Sequence, residues 1–358
     1  MATMEWTGQA DGVFRGGGVK GLALAGAIVG FAEHPTKPVR EWKSVAGASA
    51  GAIIAAYLAF DRSEKVGENM IALLDPERLV SFQDFPLGRK YLGGIPRLVV
   101  RHGMAPGKAF EEWFDGVLGQ STFSIAKSGD DWKDSRLKLI AADVTNHRLL
   151  VLPEDLPRYR LPGTTQPIDP DDFPISKAAR MSMSIPYFFQ AIELDLVVGE
   201  DGQSIPPVRS YIVDGGTLSN FPVWLFDSPN PTRPTFGFTL TGGTGVGGGI
   251  KKLRKLLPWS ARTGFDIFHT AQEAWDVRFQ THSTQVRTFA VSATVVLPDG
   301  TPVAVNTTQF KLPKELQDGL VQNGRVAATT FLDNFKLEDY FNTLHARLGP
   351  SAESSDIP

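Results

Sequence analysis

Short apolar runs alternate with longer alanine- and leucine-rich stretches along the first part of the chain. "GVFR" (12–15) has the length and apolar character of a buried strand, and "LALAGAIVGFAEH" (22–34) carries the small and aliphatic side chains of a helix laid closely on a sheet. "WKSVAG" (42–47) predicts a second strand and "AIIAAYLAF" (52–60) a second close-packed helix. Later runs predict strands at "RLKLIAAD" (136–143), "RLLVLP" (148–153), "RSYIVDG" (209–215), "TFGFTL" (235–240) and "QVRTFAVSA" (285–293). Strands interleaved with helices in this way predict an α/β fold, with a mainly parallel central sheet covered by helices on both faces. Residues 61–135, which include "PGKAFEEWFDGVLG" (106–119), read as a mostly helical cap insertion. One domain is expected over 1–340, with a mobile Gly-rich, basic loop at 243–259 and a C-terminal tail at 341–358 ending in the polar "GPSAESSDIP".

Composition narrows the class. At 358 residues and 42% hydrophobic content, the chain can bury a large core. A net charge of −3 with no basic block argues against nucleic acid as a partner. The absence of cysteine removes disulfides, thiolate chemistry and cysteine zinc sites, and is compatible with a reducing cytoplasm. The start "MATMEWTGQADG" has neither the basic nor the apolar region of a secretion signal, and no run reaches about 18 apolar residues, so a soluble protein is expected. The segment 243–259 mixes Lys251, Lys252, Arg254 and Lys255 with Leu253, Leu256, Leu257 and Trp259. That mixture fits a solvated helix start, and it also fits peripheral contact with an anionic membrane surface.

Chemistry concentrates in three glycine-bearing corners. Gly16, Gly18 and Gly21 satisfy GxGxxG after the first strand, but a dinucleotide site needs an acidic residue closing the second strand. Glu41 precedes that strand, and its C-terminal end carries "GASAG" instead. A phosphate loop of the Walker type fails as well, because Lys20 is followed by Gly21 where a serine or threonine would bind magnesium. "GASAG" is a GxSxG pattern with Gly47, Ser49 and Gly51 between a strand and a helix, the setting in which a sharp turn exposes a nucleophilic hydroxyl. The first loop then suits a transient oxyanion: successive N–H groups at Gly17 and Gly18 can approach it with no Cβ in the way. None of the six histidines lies in a strand-end glycine motif, although His147 follows a strand directly. The better base candidate is Asp214 in "YIVDGGTLSNFPV", at the end of an apolar strand and followed by Gly215 and Gly216. Strand ends form the ligand crevice of open α/β sheets, so Ser49, the glycine loop and Asp214 are expected to converge there. An aspartate of ordinary pKa is a poor base for a hydroxyl, so burial and a direct hydrogen bond to Ser49 would have to raise its basicity.

"RGGGVKGLALAGA", "GASAGA" and "VDGG", in that order, resemble the oxyanion loop, nucleophile elbow and Asp-Gly-Gly motif of patatin-like phospholipases. "LKLIAADVTNHRLLVL", "ISKAARMSMSIPYFF" (175–189) and "FKLPKELQDGLVQNGRVAATTFL" extend the likeness over most of 12–335, with Met and Ser in "SMSIPYFF" where small residues are common. The resemblance implies a three-layer patatin-like fold and a metal-free, cofactor-free serine–aspartate hydrolase of fatty acyl esters. Residue by residue it carries Gly16, Gly17, Gly18 and Lys20 to oxyanion binding, Ser49 to the nucleophile and Asp214 to its dyad partner. The implied substrate is a phospholipid or another fatty acyl ester, with peripheral contact to a membrane surface. Whether an activator protein or a second copy takes part is left open. An acyltransferase on the same scaffold and a catalytically silent lipid-binding module are the alternatives. Phe82, Phe85, Tyr91, Trp113, Phe188 and Phe189 could line an acyl entrance, although such aromatics more often belong to the core.

Overall fold

The computed structural model describes residues 5–76, 103–228, 230–242, 282–306, 309 and 311–348. Its centre is a sheet in which four neighbouring pairs run parallel. These strands are β1 (Gln9–Phe14), β2 (Glu41–Ala48), β4 (Leu137–Asp143), β10 (Thr235–Thr241) and β11 (Thr288–Ser292), in the spatial order β11-β10-β1-β2-β4. Beyond β4 the sheet continues antiparallel through β9 (Ser204–Asp214), β8 (Ile192–Val198) and β6 (Tyr159–Arg160), while β5 (Arg148–Leu152) pairs with β4 from its other edge. Two small ribbons stand apart, one of β3 (Gly103–Ala105) with β7 (Tyr187–Phe189) and one of β12 (Thr294–Val296) with β13 (Pro302–Ala304).

The strand alternation sorts side chains between two faces. Phe14, Val45, Phe236 and Phe238 enter the main core with Leu24, Ile28 and Phe31 of α1 (Gly21–Glu33) and Ile54 and Leu58 of α2 (Ala50–Phe60). Val13 and Ala46 face the other way, onto Phe221 and Val223, the latter in the short helical turn Val223–Phe226. The small residues anticipated in α1 have a definite use, since the helix α6 (Lys314–Asn334) crosses it at backbone contact. A Cβ on Gly26 would stand 2.2 Å from the Val321 carbonyl oxygen, and one on Gly324 2.0 Å from that of Ala23.

Within the segment expected as a cap, α3 (Val66–Leu73) and α4 (Lys108–Val117) send Met70, Leu73, Phe110 and Phe114 into the main core, with Trp113 packed half-buried against it. Phe189 is buried with the Arg180 guanidinium 4.9 Å over its ring. Phe82, Phe85 and Tyr91, the basic loop at 243–259 and the terminal 349–358 lie outside the described residues, as does the side chain of Phe188. The expected boundary at residue 340 is corrected by α7 (Leu337–Leu348), which runs straight through it. Tyr340, Phe341 and Leu344 are buried, and the Tyr340 hydroxyl accepts the Thr235 N–H at 3.0 Å, so residues 341–348 belong to the folded domain. Among the described residues no helix is long and apolar enough to cross a membrane.

Candidate active site

The site is made by two strands that end against one neighbour. β2 pairs with Leu137–Ile140 of β4, and β9 takes over the same edge at Ala141–Asp143, because β5 occupies the opposite one. β2 runs parallel to β4 and β9 antiparallel, so their C-terminal ends meet head to head: Ala48 lies opposite Ile140 and Asp214 opposite Ala141. Ser49 and Asp214, 165 positions apart in the chain by their numbers, are thus delivered to one spot by adjacent residues of β4. Convergence is the sequence expectation, but the route differs, since Asp214 arrives on an antiparallel strand and not from a shared row of parallel strand ends.

Ser49 alone forms the turn between β2 and α2, at φ 54° and ψ −125°. A side chain in such a conformation costs about 1–3 kcal/mol and is held only where the surroundings enforce it. The enforcement is visible in its glycine neighbours. A Cβ on Gly51 would lie 2.1 Å from the Phe14 carbonyl oxygen and one on Gly47 2.2 Å from that of Gly51, so the start of α2 is pressed onto the end of β1. The Ser49 side chain makes no capping hydrogen bond to α2, which leaves its hydroxyl available, and its N–H donates to Ser182 Oγ at 3.1 Å. Replacing Gly51 by alanine is expected to destabilise the protein by about 2 kcal/mol or more, because the clash is with backbone that cannot turn aside. Thermal denaturation monitored by circular dichroism checks this.

Asp214 is 5% exposed. Its Oδ1 accepts the Gly216 N–H at 2.7 Å, and its own N–H donates to the Ser184 carbonyl at 2.9 Å. Burial pushes its carboxyl up to about 7, against the weaker downward pulls of the facing Ser49 hydroxyl and the Gly216 N–H. Desolvation thus raises the carboxyl as expected, whereas the Ser49 hydrogen bond, expected to help, pulls it down, because a donor stabilises the charged form.

The glycine loop closes the third side. Gly16 sits so near the elbow that a Cβ there would be 2.9 Å from Ser49 Cβ and 2.3 Å from Asn220 Oδ1. The Gly16 N–H donates to the Asn220 carbonyl at 3.4 Å and the Lys20 N–H to the Gly17 carbonyl at 3.3 Å. Between them the N–H groups of Gly17 and Gly18 have no acceptor among the described residues, and Gly18, at φ 57°, starts the helical turn Gly18–Lys20 that leads into α1. Lys20 is buried, pairs with no carboxylate among the described residues, and has its ammonium pushed down by burial and by the nearby Arg15 charge.

Glu41 opens β2 instead of preceding it, which leaves it still at the wrong end for a ribose. His34 is buried against Asp333, with Nε2 3.2 Å from Oδ1 and Nδ1 accepting the Lys37 N–H, so it braces the end of α1. His147 makes the turn between β4 and β5 at φ 55°. Neither touches Ser49 or Asp214. Three residues enter the site that sequence reasoning did not single out: Asn220, which holds the glycine loop, and Ser182 and Ser184, which hold the backbones of Ser49 and Asp214. Asn220 stands in the same quoted stretch as Asp214, and the two serines are those of "SMSIPYFF". A cavity of about 530 Å³ lined by Phe289, Phe331, Phe335 and Lys336 shares no residue with this site.

A family model described as patatin-like phospholipase matches residues 12–227, which includes all three corners. The uncharacterized protein YqhO of Bacillus subtilis (strain 168) is 39% identical over 272 residues, 75% of this chain and 82% of that protein. Among solved structures, VipD from Legionella pneumophila aligns with a TM-score of 0.45 and 15% identity over 90% of this chain and 66% of its own. The heterodimeric ExoU–SpcU complex from the type III secretion system of Pseudomonas aeruginosa gives a TM-score of 0.42 and 16% identity over 91% of this chain and 51% of the matched one. The chain therefore spans just under two thirds of the VipD chain and about half of the other.

Proposed function

The chain belongs to the patatin-like phospholipase family, and from that membership and the geometry of the site we propose that it hydrolyses fatty acyl esters of lipids through a Ser49–Asp214 dyad. One observation carries the reading: a strained serine, its hydroxyl free of any helix cap, hydrogen-bonds a buried aspartate whose carboxyl is raised to about 7. Near neutral pH such a carboxylate is basic enough to take the hydroxyl proton as Ser49 Oγ attacks the acyl carbon. The carbonyl π electrons move to oxygen, and the N–H groups of Gly17 and Gly18 receive that charge, with the Lys20 cation adding to the field. Collapse of the tetrahedral species expels the alcohol, which takes up the proton from Asp214, and leaves an acyl-enzyme on Ser49. Water then attacks with Asp214 again as base, releasing the fatty acid and restoring the serine.

Family membership supports the substrate class, a phospholipid or related acyl ester met at a lipid surface. The test is acyl release from phosphatidylcholine and phosphatidylglycerol vesicles by the purified protein, with lipid products resolved by mass spectrometry. Free fatty acid and lysolipid are expected as the main products, together with a transient acyl adduct on the Ser49 peptide. If glycerol or lysolipid supplied as acceptor captured most of the acyl groups in place of water, the chemistry would be acyl transfer, and the absence of any acyl adduct or product would overturn the proposal.

A further inference from the structure

The C-terminal end of α5 (Ile175–Ser182) touches both halves of the proposed dyad, although it carries neither reacting group. Ser182 Oγ, fully buried, donates to the Ile140 carbonyl at 2.6 Å and accepts the Ser49 N–H at 3.1 Å. Two residues on, the Ser184 carbonyl accepts the Asp214 N–H at 2.9 Å. Ile140 is the last residue of β4 paired with β2, and pairing with β9 takes over at the next residue, Ala141, so the Ser182 hydroxyl sits at the junction that brings the two strand ends together. The segment is itself anchored. Arg180, also fully buried, donates to Ser184 Oγ, to the Pro106 carbonyl at 2.7 Å and to the Gln190 carbonyl at 2.9 Å.

A hydroxyl has one proton and two lone pairs. Donation to Ile140 fixes where the Ser182 proton points, which leaves a lone pair directed at the Ser49 amide. That amide belongs to the residue held at φ 54°, a conformation that relaxes unless it is over-determined. We propose that Ser182 is a positioning residue that locks the Ser49 elbow against β4, in register with Asp214, while the Ser184 carbonyl fixes the Asp214 end of the same frame. The inference rests on the dyad reading above. Its consequence is a loss of alignment without loss of either reacting group: turnover falls, substrate binding persists, and the acid limb of the pH profile stays where the buried carboxyl puts it.

The experiment compares Ser182→Ala and Ser182→Thr with wild type, using a fluorophosphonate probe to count reactive Ser49 and vesicle hydrolysis to measure turnover. Ser182→Ala is expected to lower kcat by about 10- to 100-fold, the scale set by a misplacement of about 1 Å, with KM changed by less than about twofold. Ser182→Thr, which keeps the hydroxyl, should return kcat to within about threefold of wild type. Should Ser182→Ala not fold, Ser182→Cys replaces it under the same criteria, because it keeps the shape and loses the strong acceptor. Failure of the probe to label Ser49 in wild type overturns the dyad and this inference together. Normal labelling of wild type, combined with a Ser182→Ala variant of unchanged labelling rate and kcat, overturns the positioning role alone. So does a threonine variant as slow as the alanine one when both melt like wild type.

Discussion

Ser49→Ala is expected to lower acyl release from vesicles by on the order of 10⁴-fold or more, because the nucleophile is the one group whose work no neighbour can take over. A residue of activity above the uncatalysed rate should persist, since the glycine N–H groups would still polarise a bound ester for attack by water. The fold should persist. The Ser49 side chain makes no cap contact and the hydrogen bond from its N–H to Ser182 belongs to the backbone, but its hydroxyl also hydrogen-bonds the buried Asp214 carboxyl, so Ser49→Ala is expected to melt somewhat below wild type. Ser49→Gly should be equally inactive yet melt higher than Ser49→Ala, because glycine enters the φ 54° conformation without a Cβ penalty of about 1–3 kcal/mol. Calorimetry beside a fatty acid assay checks both halves. An alanine variant retaining more than about a tenth of wild-type turnover would remove Ser49 from the chemistry.

Much of this arrangement can be read from the chain before folding, and the limits have physical causes. The runs at 12–15, 42–47, 136–143 and 235–240 lie within or beside β1, β2, β4 and β10, because central parallel strands are buried on both faces and read as continuous apolar stretches. β8 alternates apolar and charged residues in "IELDLVV", and β6 is two residues long, so neither gives that signal. The direction of β9 is illegible for a different reason: whether an apolar strand runs parallel or antiparallel to a neighbour depends on where the connecting chain returns. The Asp-Gly-Gly motif therefore points to Asp214 but not to the head-on meeting of β9 with β2. Ser182 is hidden more deeply, since its two partners lie 42 and 133 positions away and nothing local to "ARMSMS" distinguishes a buried bracing hydroxyl from a small packing residue. The end of the domain is legible too: Tyr340, Phe341 and Leu344 have the spacing of a buried helical stripe, which carries the fold past residue 340.

Asp214→Asn should cost about 10²- to 10⁴-fold in turnover, the usual worth of a positioned base, and should separate stability from activity in a pH-dependent way. The carboxyl titrates near 3.8 in an unfolded chain and at about 7 when buried, so between those values the native state holds a proton that the unfolded state has released. Native stability therefore falls as pH rises through that window, and the full cost of burying the charge is present above pH 7. Catalysis needs the opposite form. Turnover by wild type should fall about tenfold per unit as pH drops below about 7, as Asp214 takes up its proton and can no longer receive one from Ser49. Asparagine is neutral throughout, and its side-chain oxygen can still accept the Gly216 N–H. The variant should consequently melt above wild type at pH 8, with the difference shrinking as pH is lowered toward 4. Thermal melts of both proteins across pH 4–9, set beside kcat profiles, test the two statements independently. A wild-type acid limb well below pH 6, together with an Asp214→Asn variant that melts no higher than wild type at pH 8, would mean that this carboxylate is stabilised by its surroundings instead of being held there against its solvation, and the base would have to be sought elsewhere.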